Sequence, residues 1–420
     1  MSTNTPEQGK NKQHTVVIVG GGAGGISIAA SLHKRDSALD IAIIEPAQTH
    51  HYQPGWTMVG GGIFKPDVTS KPMAAVMPGF ASWYRESVRS VDEENNQVTL
   101  ADGSTIGYQA LVLAPGLELN WGGIDGLKEA LGSNGVTSNY QEGMARYTWE
   151  TVQNLKTGRA LFSQPPMPIK CAGAPQKAMY LSSDYWLRNG VLNDLDIQFH
   201  NAGAVLFGVP AYVPALESYI EKYDIGLNYQ SNLVSVNGPA QKATFRRTDA
   251  EGNTEDREIG FDMLHAVPPQ RAPEFIRQSR LANEGGWLDL EDDTLCHKRH
   301  TNIFGLGDVS GTGNAKTAAA VRKMAPVVAE NLIASLRKQP MKAAYLGYGS
   351  CPLTVENGRI VLAEFGYGGV LQPTFPSWIN DGTKATKIAW FLKAKQLPAL
   401  YWHGMLKGHE WLAKPARRSV

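Results

Sequence analysis

The chain has 420 residues, with 40 Lys plus Arg against 39 Asp plus Glu and a formal net charge of +1. That length makes two to three domains at about 150 residues each, and the charge balance argues against a general nucleic-acid binder, which carries a basic excess. Hydrophobic residues at 42% exclude disorder, and a mean hydropathy of −0.26 with no long apolar run excludes an ordinary spanning helix.

The start, residues 1–13, is polar, with no apolar signal core and no Arg-rich amphipathic leader, so secretion is not expected; a presequence trimmed before it stays open. Residues 16–19 read as a buried strand ending at Gly20, 26–33 as a helix, and 41–44 as the next parallel strand, ending at Glu45. Strand, glycine-rich turn, helix, strand, acid is the order of a dinucleotide-binding unit. Residues 98–100 and 111–113 read as further strands, and Gly116 opens a looser region. A second α/β section follows, with strands at 160–163 and 197–200 and helices at 177–188 and 214–223. An antiparallel pair is expected at 244–247 and 258–261 around Gly252. Residues 303–307 read as a buried strand delivering Asp308, and 315–336 as a long helix perturbed by Pro326. No repeat of solenoid period is present.

The first motif is Gly20-x-Gly22-x-x-Gly25. Gly20 allows the tight turn, Gly22 the approach of a pyrophosphate, and Gly25 the packing of helix on strand. The helix start, with Ala23 and Gly24, offers N–H donors to the phosphates. Glu45 lies 20 residues beyond Gly25, where an acid binds ribose hydroxyls. A loop packed for structural reasons alone is the bland alternative, outweighed by strand, helix and acid falling in order. The second motif, Gly305-Leu306-Gly307-Asp308, resembles the second FAD fingerprint of flavoprotein reductases with two dinucleotide domains, in which the Asp binds the ribityl chain. A helix cap is the bland alternative for Asp308. Lys316 and Thr317, near the start of the next helix, would bring its positive end to the flavin. Together the two motifs select FAD over NAD. After the strand 160–163 stands Gln164-Pro165-Pro166-Met167-Pro168, whose prolines lack the N–H groups of a pyrophosphate loop, so a nicotinamide is not the expected electron donor.

Three cysteines are too few for a disulfide scaffold and lack zinc-site spacing, so no metal is expected. Cys171, flanked by Lys170 and Lys177 just before a helix, should have thiolate character. Cys351 lies among small residues that suit an accessible loop. Each alone is more often an inert buried thiol; beside a flavin without a nicotinamide site, the pair is the leading route for electrons. Cys296 reads as structural.

The sequence resembles the sulfide:quinone oxidoreductases, in the two-cysteine group that includes the mitochondrial enzymes. The resemblance runs over about residues 15–414. It is carried by Gly20 to Gly25, Glu45-Pro46, His51-Tyr52-Gln53-Pro54, Lys170-Cys171-Ala172-Gly173-Ala174-Pro175-Gln176-Lys177, Gly305 to Asp308, Lys316 to Val321, Ser350-Cys351-Pro352-Leu353 and Leu362-Ala363-Glu364-Phe365. Other branches carry a third cysteine before this pair, and none precedes Cys171 here. The resemblance implies an α/β fold of two Rossmann-like domains of the FAD-dependent disulfide-reductase type plus a C-terminal amphipathic membrane-binding segment. The expected division is 14–125 with 294–337 for FAD, 126–293 for a second Rossmann-like domain, and 338–420 for quinone and membrane. Glu45 would bind the adenosine ribose, Gln53 would sit by the flavin, Val88 would meet the adenine through its backbone, and Ala114 and Gly116 would join the cofactor site. Cys171 and Cys351 would be the redox pair, with hydrosulfide attacking their disulfide, Cys351 holding the persulfide and Cys171 leaving as thiolate toward the flavin. Phe365 and Tyr367 are candidates for a quinone slot, with core packing as the alternative for Phe365.

Between Lys384 and Arg418 stand eight Lys or Arg and one acid, Glu410, and four of the ten Trp fall between Trp378 and Trp411. Two short helices are expected, the second starting at Pro398, with Trp390, Trp402 and Trp411 at a bilayer interface and Lys384, Lys387, Lys393 and Lys395 snorkelling to lipid phosphates. The tail should then be removable with FAD retained. Docking against a core or a dimer face is the alternative. The expected reaction is oxidation of hydrogen sulfide with reduction of a membrane quinone and transfer of sulfane sulfur to an acceptor such as glutathione, sulfite or sulfide. The site would be the cytoplasmic face of a bacterial inner membrane, or the mitochondrial inner membrane if a leader was trimmed. Two rivals are an NADH:quinone oxidoreductase of the same fold and a non-enzymatic flavoprotein binding nucleic acid or a partner through its tail; the first reading expects no nucleic acid and leaves a homo-oligomer open.

Overall fold

The computed structural model describes residues 12–418; most of the polar start lies outside them. Among these residues a seven-stranded sheet holds Lys12–Val19 between Ile41–Ile44 and Thr105–Leu113, all parallel, with Ser82–Tyr84 beyond and Ile303–Gly305 added to Thr105–Leu113. Gln97–Leu100 and Val88–Asp92 continue the sheet antiparallel. The central strands are unbroken apolar runs because both faces are covered: Val16 to Val19 and Ile41 to Ile44 are all buried. Helices Ala23–Arg35 and Ala318–Leu336 pack on one face, and Pro326 sits inside the latter. The expected helices at 26–33 and 177–188 begin three residues earlier, that at 214–223 shifts by one, and that at 315–336 begins only at Ala318, while the strand at 303 stops at Gly305 because Gly307 turns the chain at φ +81°.

A five-stranded parallel sheet, ordered Val136–Thr137, Met263–His265, Gly158–Gln164, Leu195–Asn201 and Gly226–Tyr229, builds the second α/β unit around helix Ala174–Arg188. The hairpin around Gly252 forms as expected, over Lys242–Thr248 and Thr254–Gly260, and Ser231–Asn237 adds a third strand. A third region is the hairpin Gly349–Glu356 with Arg359–Phe365, edged by Ala385–Thr386.

Three expectations about the C-terminal part are corrected. Cys351 is not in an accessible loop but buried inside the strand Gly349–Glu356. The tail is not two helices: residues 387–407 form one helical run that passes through Pro398 by wide π-type turns at Leu392–Gln396 and Leu400–Gly404. Such turns re-space the bonds that a proline cannot make. Finally, Lys393 and Trp402 do not reach toward lipid; both are buried. Tyr401, Trp402, Met405 and Leu406 join the core beneath the seven-stranded sheet with Ile18, Ile26 and Val328. Arg35 clips the run's end, donating to Glu410 Oε1 at 2.6 Å and Oε2 at 3.0 Å. No helix among the described residues is long and apolar enough to cross a membrane.

Candidate active site

The glycine loop has the shape its residues imply. Gly20 stands at φ +100°, and a Cβ there would lie 2.3 Å from Ala114 O; a Cβ on Gly25 would meet Gly20 O at 1.7 Å. A side chain would part the two strand ends at Gly20 and helix from strand at Gly25. Gly22 and Gly116, by contrast, would meet nothing within 4 Å. Gly22 is the N-cap of helix Ala23–Arg35 and no side chain caps that end, which leaves N–H donors for a phosphate. Glu45 accepts from Gly21 N–H and Ala47 N–H, each at 2.7 Å. Ala114 is buried, its N–H donating to Val19 O at 2.9 Å.

The second motif closes over the same loop, since a Cβ on Gly24 would stand 3.2 Å from Ala114 Cβ and 3.6 Å from Leu306 Cγ. Among the described residues the Asp308 carboxylate accepts no hydrogen bond. Burial pushes its pKa up against the pull of Lys316 and Lys170. Lys316 Nζ donates to Asp308 O at 2.7 Å and Ser310 O at 2.8 Å, and burial brings its pKa down to about 8. Thr317 caps helix Ala318–Leu336 by accepting from Ala320 N–H. An uncapped helix start, open glycines and an unpartnered carboxylate fit a dinucleotide with a hydroxylated chain. Val88 pairs with Leu100 and packs against the core cluster that includes Val19 and Ile44, the residues just before Gly20 and Glu45.

The fold brings Cys171 and Cys351 together across 180 residues, with their Sγ atoms 3.6 Å apart as free thiols. Cys171 sits at φ +49° before helix Ala174–Arg188, its carbonyl accepting from Ala174 N–H at 2.7 Å. Lys177, one turn into that helix and buried, points Nζ at Cys171 Sγ from 3.0 Å. The hydrogen bond from the Cys351 thiol, then the Lys177 charge and hydrogen bond, hold Cys171 well below the usual thiol range against burial. Cys351 is pushed well up by that same bond and by burial. The asymmetry makes Cys171 the thiolate and Cys351 the thiol. Gly173 permits the approach: a Cβ there would lie 2.5 Å from Cys351 Sγ. Cys296 is buried with its thiol pushed up to about 12 by burial, an inert group.

Gln53 Oε1 accepts from Lys170 Nζ at 2.6 Å, which ties the unit of the seven-stranded sheet to the cysteine loop. Tyr140, which the sequence did not single out, donates its hydroxyl to Lys170 O at 3.0 Å. Lys393 was also missed as a site residue. It reaches in from the tail, donates to Pro54 O at 2.9 Å, and is lowered by burial to about 7. A lysine within Leu392-Lys393-Ala394 carries no sequence signal for this; only the fold turns it inward.

Residues 14–153 match the family model described as pyridine nucleotide-disulphide oxidoreductase. The chain is 40% identical over 402 residues to the mitochondrial sulfide:quinone oxidoreductase of Dictyostelium discoideum, covering 95% of this chain and 87% of that one. It is 37% identical to the Mus musculus protein of the same name, covering 94% and 87%. The chain belongs to the sulfide:quinone oxidoreductase family. With that membership come an FAD-dependent oxidoreductase activity and the mixed α/β fold of the disulfide-reductase type. The solved sulfide:quinone oxidoreductase of Aquifex aeolicus shares the fold, with a TM-score of 0.75 at 21% identity over 94% of this chain and 92% of that one. A chain in the cryo-EM structure of the Tetrahymena thermophila mitochondrial ATP synthase also shares it, with a TM-score of 0.82 at 22% identity, covering 97% and 99%.

In this sulfide:quinone oxidoreductase family member, the hairpin carrying Cys351 separates two regions. Cys351, Leu353, Val361 and Ala363 face the second α/β unit, while Ile360 and Leu362 face Ala389 and Trp390 of the tail. Phe365 meets the Phe207 ring edge-on at 5.9 Å, on the cysteine side. Tyr367 packs on Tyr345 at 5.8 Å and donates to Asp292 O at 2.7 Å. Phe365 thus packs against the core of the second α/β unit and Tyr367 against the core of the unit built on the seven-stranded sheet.

Proposed function

We propose that this protein oxidises hydrogen sulfide at the Cys171–Cys351 pair and passes the electrons to a membrane quinone. The observation that carries the reading is the 3.6 Å sulfur pair with Lys177 Nζ 3.0 Å from one member. A disulfide of about 2.05 Å is reached by closing that gap by about 1.5 Å. Hydrosulfide attacks Cys351 Sγ of the disulfide; the new S–S bond makes a persulfide, the old one breaks, and Cys171 departs as thiolate. Lys177 stabilises the departing charge, and a low-pKa thiol leaves faster. A small thiol, sulfite or second sulfide then takes the sulfane sulfur, and the Cys351 thiolate so released re-forms the disulfide with Cys171. FAD, held by the glycine loop, Glu45 and Asp308, would supply the two-electron relay between that closure and the quinone.

The names of the relatives support association with mitochondria; attachment to one membrane surface is our reading. It is supported by Trp378, at 82% exposed, together with Ile379, Ile388, Phe391, Leu400 and Trp411, all exposed on the C-terminal region and interspersed with Lys384, Lys387 and Lys395. Side chains of that mixture bind a bilayer surface without crossing it. We assign residues 14–125 with 294–337 to FAD, 126–293 to the second unit and 338–420 to quinone and membrane.

Anaerobic titration of the FAD-loaded protein with sulfide tests the reading. The flavin should bleach in the wild type and not in Cys171→Ser or Cys351→Ser, while Cys296→Ser behaves as wild type. Bleaching in both single variants would overturn the mechanism.

A further inference from the structure

Cys171 holds a backbone conformation that an L side chain seldom adopts. Its φ is +49°, in the left-handed region, where a residue with a Cβ is strained and stays only if its surroundings hold it there. The turn is held at all four backbone polar groups of residues 170 and 171. Cys171 N–H donates to Lys316 O at 2.9 Å, which ties the loop to the stretch beside Asp308, and Cys171 O accepts from Ala174 N–H at 2.7 Å. Those two bonds join backbone to backbone. The remaining partners are side chains. Gln270 Oε1 accepts from Lys170 N–H at 2.6 Å. The Tyr140 hydroxyl is shared between Lys170 O at 3.0 Å and Cys171 O at 3.3 Å.

Both side chains are themselves fixed. Tyr140 lies three residues after the strand Val136–Thr137 and is buried. Its own N–H donates to Ser138 Oγ at 3.2 Å, and that of Asn139 to His265 Nε2 at 2.9 Å. The Tyr140 ring packs with Ala174, Val267 and Cys171. Burial, and then the nearby Cys171, pushes its pKa well up, so the hydroxyl keeps the proton it donates. Gln270 belongs to the short strand Gln270–Arg271, which pairs with Glu118–Leu119. Neither side chain has a hydrogen bond to a sulfur among the described residues; both act on the chain that carries one. Relaxing φ at Cys171 to the ordinary negative range would swing its Cα–Cβ bond and carry Sγ off Cys351, now 3.6 Å away. We propose that, in the sulfide oxidation inferred above, on which this rests, Tyr140 and Gln270 are positioning residues. They hold the turn at Lys170 and Cys171 in advance, so that the disulfide with Cys351 closes without first having to strain the chain.

The test uses the full-length FAD-loaded protein in a Cys296→Ser background. Tyr140→Phe removes one oxygen and keeps the ring; Gln270→Leu removes the acceptor and keeps an apolar stem. Each protein is equilibrated in glutathione redox buffers, and the Cys171–Cys351 disulfide is counted by thiol titration. At a given poise the ratio of disulfide to dithiol should fall about tenfold in either variant, the scale of a buried group left without its partner. In a two-electron couple that is a rise of about 30 mV in the potential of the pair. A residue of merely structural importance would lower the melting temperature and leave the ratio where it is. Flavin reduction by sulfide should slow about tenfold, while reoxidation of the dithionite-reduced flavin by a short-chain ubiquinone stays within twofold of wild type. A disulfide ratio within twofold of wild type in either variant would overturn the assignment. Where Tyr140→Phe does not fold, Gln270→Leu carries the same decision. If sulfide fails to reduce the wild-type flavin, it is the functional reading that fails, and the disulfide ratio, measured without sulfide, still decides whether the turn is preset.

Discussion

Replacing Lys177 with Met tests the electrostatic basis of the cysteine pair. The ammonium lies 3.0 Å from Cys171 Sγ, with Lys177 buried and Cys171 half-buried. Two unit charges at that distance attract by about 5.5 kcal/mol at an effective dielectric of 20. Methionine keeps the length and apolar stem but none of that term, and Lys393, with its pKa near 7, replaces little of it. If a third of the energy survives relaxation and water entry, the loss is about 2 kcal/mol, or roughly a thirtyfold shift from thiolate to thiol at fixed pH. The sign is definite: losing a cation raises the pKa of Cys171 and lowers its thiolate population at neutral pH. Alkylation of Cys171 by iodoacetamide against pH, in Cys296→Ser and Cys351→Ser backgrounds, reads that population directly. The midpoint should move to higher pH in the Lys177→Met protein, and sulfide-driven flavin reduction should fall at pH 7 and partly recover at pH 9. An unmoved alkylation profile would show that Cys171 owes its reactivity to something other than Lys177.

Gly173→Ala should weaken the pair differently: the added Cβ would stand 2.3 Å from Leu353 Cδ2 and 2.5 Å from Cys351 Sγ. Overpacking there costs about 1–3 kcal/mol, and free-thiol titration after oxidation should find the pair still reduced. Truncation after Asp381 should yield protein that loses FAD or aggregates, because it strips Tyr401, Trp402, Met405 and Leu406 from the core at about 1.5–3 kcal/mol each. Trp378→Ser combined with Phe391→Ser should instead keep FAD and release the protein from anionic liposomes in a sedimentation assay. His50, His200 and His265 are each lowered to about 4 by burial. Their stabilisation is complete above the unfolded value near 6.5 and is lost as pH falls through 4, on the order of 3 kcal/mol per group. The melting temperature should drop through that window, and His265→Phe should flatten the drop.

The glycine loop and Glu45 were legible in the sequence because a phosphate cradle is local: spacing, strand and helix start all lie within one stretch of chain, and Asp308 was legible from its own short motif at residues 305–308. The acidity of Cys171 was legible in part, from Lys170 and Lys177 beside a helix start. Its pairing with Cys351 was reached from the lack of a nicotinamide loop and reinforced by the resemblance, since nothing local links positions 180 residues apart. The tail shows the limit most clearly. Its basic residues and tryptophans have the composition of a lipid surface, and Trp378, Phe391 and Trp411 are indeed exposed. Trp402 and Lys393 have the same composition and the opposite fate. His50, kept neutral by burial, gives its Nδ1 proton to Gly21 O at 3.2 Å, so Nε2 is free to accept the Tyr401 hydroxyl at 2.7 Å. That bond and the Arg35–Glu410 clip turn one side of the helical run into the unit of the seven-stranded sheet. The amino-acid sequence by itself therefore determined the cofactor loop and the chemical types available to the site. Which side of each amphipathic segment is interior was decided only by the tertiary structure, because burial depends on partners that lie hundreds of residues away.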